Sequence, residues 1–294
     1  MRLRLLDGRH LDVWLTACVY LATIRGVVLE QQSLIGNIVN ELSSDQRVMA
    51  AWLAGSLGRG AGDEFSDVDV WLIVGDEDRD AFVEEWPKLA ERISVTVLRQ
   101  RVEAGLTVVF NHITADWSRF DVSIGAPADV QSRSASTLAL LFDKVGLQQS
   151  LRPSGEPLAP SPRRVAAMTT EFLRVLGLLP VVLGREEYVV AASGASLLRT
   201  LVIQLMVEDV AVEDRGGALH LAGLLPPQRL AALAALPAIE ATRESAVATH
   251  LACAHLFLPL ARDLCARVGV EWPTDLELAA RSHLSRALHL EVAV

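Results

Sequence analysis

Basic clusters, paired cysteines and the common phosphate-binding signatures are what this chain lacks. In 294 residues acidic side chains outnumber basic ones, 36 to 27, and no run of Lys or Arg appears. Gripping duplex DNA or long RNA takes a basic stripe that neutralises phosphates, so an extended nucleic-acid partner is not expected; an acidic surface suits a cationic small molecule instead. Cys18, Cys253 and Cys265 are an odd set without metal-type spacing. That excludes a disulfide framework and fits a reducing compartment. His250 and His255 lie five residues apart, off a common helical face, which is not the spacing of a zinc pair. No Gly-Lys-Ser/Thr closes a P-loop, and the glycine spacing is not that of a dinucleotide fingerprint.

Long uncharged apolar runs of membrane length are also missing beyond the first residues. The start, Met1-Arg-Leu-Arg followed by the mostly apolar Leu11–Ile24, has a lipoprotein-like Leu15-Thr16-Ala17-Cys18. Asp12 breaks that run, and too few apolar residues precede Cys18 to form a signal core. The expectation is a soluble, cytoplasmic protein with no membrane partner and an N-terminal extension over residues 1–26.

Half of the chain is apolar and about a fifth charged, 51% against 21%, enough for a large core and more than one domain. Residues 27–150 read as α+β. Helical spacing over Val27–Leu42 precedes strands at Val48–Ala54 and Asp67–Val74. A helix at Asp78–Arg92 follows, then strands at Ser94–Arg101, Thr107–Ile113, Arg119–Ile124 and Leu138–Phe142. Prolines 153, 157, 160 and 162 mark residues 151–162 as a linker. Residues 163–294 then read as an all-helical bundle, with helices at Arg163–Leu183, Glu186–Glu208, Pro226–Leu236, Pro237–Val268 and Pro273–Leu290. The fold class is therefore a small mixed-sheet domain followed by a helical bundle.

The chemistry concentrates between Gly55 and Val74. Gly55-Ser56 forms a turn that lets backbone N–H groups and a hydroxyl approach phosphate oxygens. Downstream, Asp67 and Asp69 alternate along a strand and share one face. Two neighbouring carboxylates repel, and a divalent cation removes that cost. An oxygen-only set suits Mg²⁺ held together with nucleotide phosphates. Asp121, in Arg119-Phe120-Asp121-Val122-Ser123-Ile124, is a candidate third carboxylate, because Phe120, Val122 and Ile124 take the opposite face. Asp116 and Asp129 beside it sit among turn-forming residues and are weaker candidates.

Gly-Ser, a short turn and Asp-x-Asp, with a carboxylate on a later strand, resembles the DNA polymerase β-type nucleotidyltransferase superfamily. The string AWLAGSLGRGAGDEFSDVDVWLIV is most similar to its bacterial aminoglycoside and lincosamide nucleotidyltransferase group. The resemblance implies nucleotide contacts at Gly55, Ser56, Arg59 and Ser66, and a metal and catalytic set of Asp67, Asp69 and Asp121. It further implies two Mg²⁺ ions and an NTP, expected to be ATP. The expected reaction is transfer of AMP to a hydroxyl of a small molecule, an aminoglycoside- or lincosamide-type antibiotic being one such acceptor. Glu171, Glu186 and Glu187, at the start of the helical half, are candidates for acceptor contact or general base beside Asp121 itself. Other acceptors fit the same catalytic half. One alternative is an antitoxin-like enzyme that modifies a partner protein. Another is a noncatalytic nucleotide binder, which has no need of three clustered carboxylates. Arg243 and His250, spaced as in some toxin ribonucleases, carry little weight.

Overall fold

The computed structural model describes residues 29–104, 107–216 and 220–289; Cys18 and the expected extension lie outside them. The chain divides into two compact units between Gly155 and Glu156.

The first unit is built on a sheet. Helix α1 (Leu29–Ser43) buries Leu34, Ile35, Ile38, Val39 and Leu42, the single stripe that a 3.6-residue period produces. Strand β1 (Val48–Leu53), the four-residue helical turn α2 (Gly55–Gly58), β2 (Val68–Val74) and α3 (Arg79–Ile93) follow. Next come β3 (Thr96–Ala104), β4 (Thr107–Thr114), β5 (Arg119–Gly125) and β6 (Ala139–Asp143). The strands form one sheet in the order β3-β4-β5-β2-β1-β6. Only β2 and β5 run parallel; the other pairs are antiparallel.

Alternation along the central strands sorts their side chains by face. Val68, Val70, Leu72 and Val74 of β2, with Phe120, Val122 and Ile124 of β5, join the core under α1 and α3. Trp71 and Ile73 pack with Trp52, Val130, Leu138 and Leu151 on the opposite face. The odd-numbered Asp67, Asp69 and Asp121 are thereby turned away from the helix-covered side. His112 of β4 helps hold this register, being 1% exposed and stacked on Phe120 at a ring distance of 4.3 Å. The Trp86 indole donates to its Nε2 at 3.2 Å, and its Nδ1 donates to the Phe120 carbonyl at 3.3 Å. Burial pushes this imidazole down to about 4, so the ring stays neutral and serves packing.

The second unit is helical, with α4 (Pro162–Gly177), α5 (Leu179–Gly184), α6 (Tyr188–Glu208), α7 (Leu221–Leu224), α8 (Pro227–Ala234), α9 (Arg243–Val268) and α10 (Thr274–Leu288). Its core centres on Phe172 and Phe257, stacked at 3.9 Å. The single helix expected over Arg163–Leu183 is two, because Pro180 has no N–H and its ring clashes with the carbonyl four residues earlier. The helix expected from Pro237 begins at Arg243, where the Thr242 hydroxyl accepts from the Ser245 N–H at 3.1 Å. The segments Pro162–Gly184 and α6 have the length and mean hydropathy of membrane spans, a property shared with core helices of soluble proteins. The proline-rich stretch is tied to this unit from Leu158 on: its N–H donates to Val212 O at 2.9 Å. The Ser161 N–H donates to the fully buried Glu208 at 2.6 Å, whose carboxylate also pairs with Arg164 and Arg215.

Candidate active site

Three carboxylates converge where β1 ends and β2 and β5 begin. Asp69 and Asp121 are register partners across the parallel pair, and Asp67 immediately precedes β2. One oxygen from each of Asp67, Asp69 and Asp121 lies within 4.8 Å of the others, and all three residues are half-buried. Burial, then the charges of Asp67 and Asp121, push the Asp69 carboxyl up to about 6. Burial also raises that of Asp121, opposed by a hydrogen bond from Asn111. Anions are thus held together at a cost that an added cation would remove.

The Gly55–Ser56 turn is pressed against this trio. The Ala54 N–H donates to Asp69 O at 2.8 Å, fixing the turn to β2. Gly55 has φ +57°, and a Cβ there would lie 1.8 Å from Asp69 Oδ2. Only glycine fits. The Ser56 hydroxyl oxygen is buried and has no hydrogen-bond partner among the described residues. An orphaned hydroxyl in the turn that touches Asp69 has hydrogen-bonding capacity that a phosphate oxygen can take up. Arg59, at the end of the same turn, is close enough to Asp69 to favour its ionised form. The donor set fits the expected group: all-oxygen ligands for a hard divalent cation next to a phosphate-sized hydrogen-bonding turn.

Arg119 borders the trio, its Nη1 3.9 Å from Asp67 Oδ2 and its Nη2 donating to Phe65 O at 2.8 Å. The Ser66 hydroxyl donates to Asp63 Oδ1 at 2.9 Å and accepts from the Asp63 N–H at 3.0 Å, so it braces the turn that leads into Asp67. Glu171, Glu186 and Glu187 lie in the helical unit. Glu171 is engaged by Arg174 through two hydrogen bonds, both of 2.7 Å. Glu186 has φ 56°, and Glu187 directly precedes α6.

Asn111 is a residue that sequence reasoning did not select. It faces Asp121 across the β4–β5 pair, and its Nδ2 donates to Asp121 Oδ2 at 2.6 Å. That bond orients one carboxylate oxygen of Asp121. The signal was available only as β4–β5 register, because ten residues separate the two in sequence.

The family model described as streptomycin adenylyltransferase matches residues 29–287. No curated protein matches the chain. Among solved structures, an aminoglycoside 6-adenyltransferase from Bacillus subtilis is similar at a TM-score of 0.41 and 15% identity, covering 87% of this chain and 98% of that one.

Proposed function

This chain belongs to the streptomycin adenylyltransferase family and is a nucleotidyltransferase; from that premise we propose that it transfers AMP from ATP to a hydroxyl of an aminoglycoside-type antibiotic, in a reaction that depends on Mg²⁺. The observation that carries the reading is the Asp67–Asp69–Asp121 cluster with the Gly55–Ser56 turn against it.

In this reading Ser56 and the backbone N–H groups of its turn hold the outer phosphates. Arg59 stands by the charge that develops on the departing pyrophosphate. Asp67, Asp69 and Asp121 hold up to two Mg²⁺ ions, which when bound offset phosphate charge and make the acceptor hydroxyl more acidic. The acceptor oxygen forms its bond to the α-phosphorus as the bond to pyrophosphate breaks. Asp121 is the carboxylate placed to receive the hydroxyl proton, one of its oxygens being oriented by Asn111. Glu171 is less suited to that role, since Arg174 beside it holds its carboxyl below the usual range. Family membership and the acidic composition support a soluble enzyme acting in the cytoplasm on a cationic small molecule, without an extended nucleic-acid partner.

The test is incubation of the purified chain with ATP, GTP, CTP or UTP, Mg²⁺ and a panel of aminoglycosides and lincosamides, with products identified by mass spectrometry. The expected product is an adenylylated aminoglycoside. Transfer to no member of the panel, with ATP left intact, would remove the antibiotic from the reading.

A further inference from the structure

The three carboxylates are not fixed by the same means. Asp69 and Asp121 are paired within the β2–β5 ladder, so strand register decides where they stand. Asp67 lies one residue before β2 begins at Val68, outside the ladder, and its place depends on the turn that delivers it. That turn is closed within itself by Ser66 N–H to Asp63 O at 3.2 Å and Phe65 N–H to Asp63 Oδ1 at 3.0 Å. Local bonds of this kind shape a turn but do not tie it to the sheet.

The tie comes from Gln31, in the first turn of α1. Glutamine is mostly an exposed residue, yet Gln31 is 8% exposed, and Leu34 and Ile35 of the next turn belong to the core under the sheet. Its Nε2 donates to Asp63 O at 3.0 Å and to Ser66 O at 2.7 Å. The second acceptor is the carbonyl of the peptide bond that joins Ser66 to Asp67. The amide therefore links the segment that carries Asp67 to a helix anchored on the sheet. At the other end of Asp67, Arg119 of β5 has its Nη1 3.9 Å from Asp67 Oδ2 and donates through Nη2 to Phe65 O at 2.8 Å. Asp67 is held from both sides, its peptide from α1 and its carboxylate from β5.

We propose that Gln31 is a positioning residue of the metal site: by fixing the Ser66–Asp67 peptide it sets where the Asp67 carboxylate stands relative to Asp69 and Asp121, while Arg119 fixes the carboxylate end. The proposal rests on the reading of the trio as a metal site given above. Mg²⁺ demands near-ideal octahedral geometry with ligands at about 2.0–2.1 Å, so it tolerates little displacement of a carboxylate. Without the Gln31 amide the turn keeps its internal bonds and Asp67 keeps its charge, but the angle at which Asp67 enters the trio is no longer set. Groups that orient a ligand without touching the ion typically change metal affinity by roughly 10–100-fold. Gln31 bonds only to the backbone of the turn, so its effect reaches the reaction through Asp67.

The experiment is titration of Mn²⁺, which like Mg²⁺ takes octahedral oxygen ligands, into the full chain without nucleotide, with free Mn²⁺ followed by electron paramagnetic resonance. The parent is compared with Gln31→Met, which keeps the length and neutrality of the side chain but loses both donors. A second variant, Arg119→Lys, keeps the charge but loses the planar fork. Each should raise the Mn²⁺ Kd by about tenfold, and turnover should need about tenfold more Mg²⁺ for half-saturation. ATP affinity in EDTA should stay parental in both, a value that general loosening of the fold would change. Parental or tighter Mn²⁺ affinity in either folded variant would overturn the proposal, and so would an equal loss of ATP affinity in EDTA. If Gln31→Met fails to fold, Arg119→Lys decides by the same criteria, since the Arg119 side chain is 32% exposed. A parent that binds no Mn²⁺ would remove the metal-site reading and the proposal with it, whereas a binding parent with unaffected variants would remove the proposal alone.

Discussion

Asp69 lies among groups that disfavour its charge, and the stability of the metal-free protein should register this. Its carboxyl is pushed up to about 6, first by burial and then by Asp67 and Asp121, from about 3.9 in an unfolded chain. A group that binds its proton more tightly when folded adds stability that is complete below the unfolded value and disappears as pH rises through the folded one. Asp69→Asn should therefore be more stable than the parent at pH 7.5 in EDTA, by up to roughly 3 kcal/mol, and lose that advantage near pH 4. A denaturation series at several pH values checks this. A variant less stable than the parent at every pH would contradict the electrostatic account. Asp67→Asn and Asp69→Asn should each abolish transfer while keeping the fold. Asn111→Ala is the subtler case. With the bond to Asp121 Oδ2 gone, kcat should fall roughly tenfold, as for outer-shell partners of metal ligands, with little change in melting temperature. Wild-type kcat would show that Asp121 needs no such support.

Strand pairing and turns convert those residues into a site, and at this scale Gly55 is the most sensitive position. Gly55→Ala forces a Cβ onto Asp69 Oδ2 and a side chain into a left-handed backbone, so both stability and activity should drop, the former by about 1–3 kcal/mol. Thermal melts and turnover measured together test this; an alanine variant with parental activity would contradict the placement of the turn. In the helical unit the buried Glu208 accepts from the Ser161 N–H and pairs with Arg164 and Arg215. Glu208→Ala should cost about 3 kcal/mol by leaving these donors without a buried acceptor. Much of this level was legible in the sequence. Period-two alternation at Phe120, Val122 and Ile124 exposed Asp121, and the 3.6 period at Leu34, Ile35, Ile38 and Leu42 exposed α1. Register was not legible, because it depends on which strands become neighbours; Asn111 therefore stayed hidden. The break at Pro180 had a readable cause, but the apolar run on both sides of it masked the interruption.

At the scale of the whole molecule, two units with separate cores share one chain. All three carboxylates and the Gly55–Ser56 turn belong to the first. Composition separated them correctly in kind, sheet before helices, although the chain joins the helical unit partway through the proline-rich stretch rather than at its end. That the three carboxylates are a metal site through which a nucleotide is held is tested most directly by calorimetric titration of ATP into the full chain. Carried out once in Mg²⁺ and once in EDTA, it should show much tighter binding with Mg²⁺, and that gain should vanish in Asp67→Asn/Asp69→Asn. Equal ATP affinity in Mg²⁺ and in EDTA would contradict it.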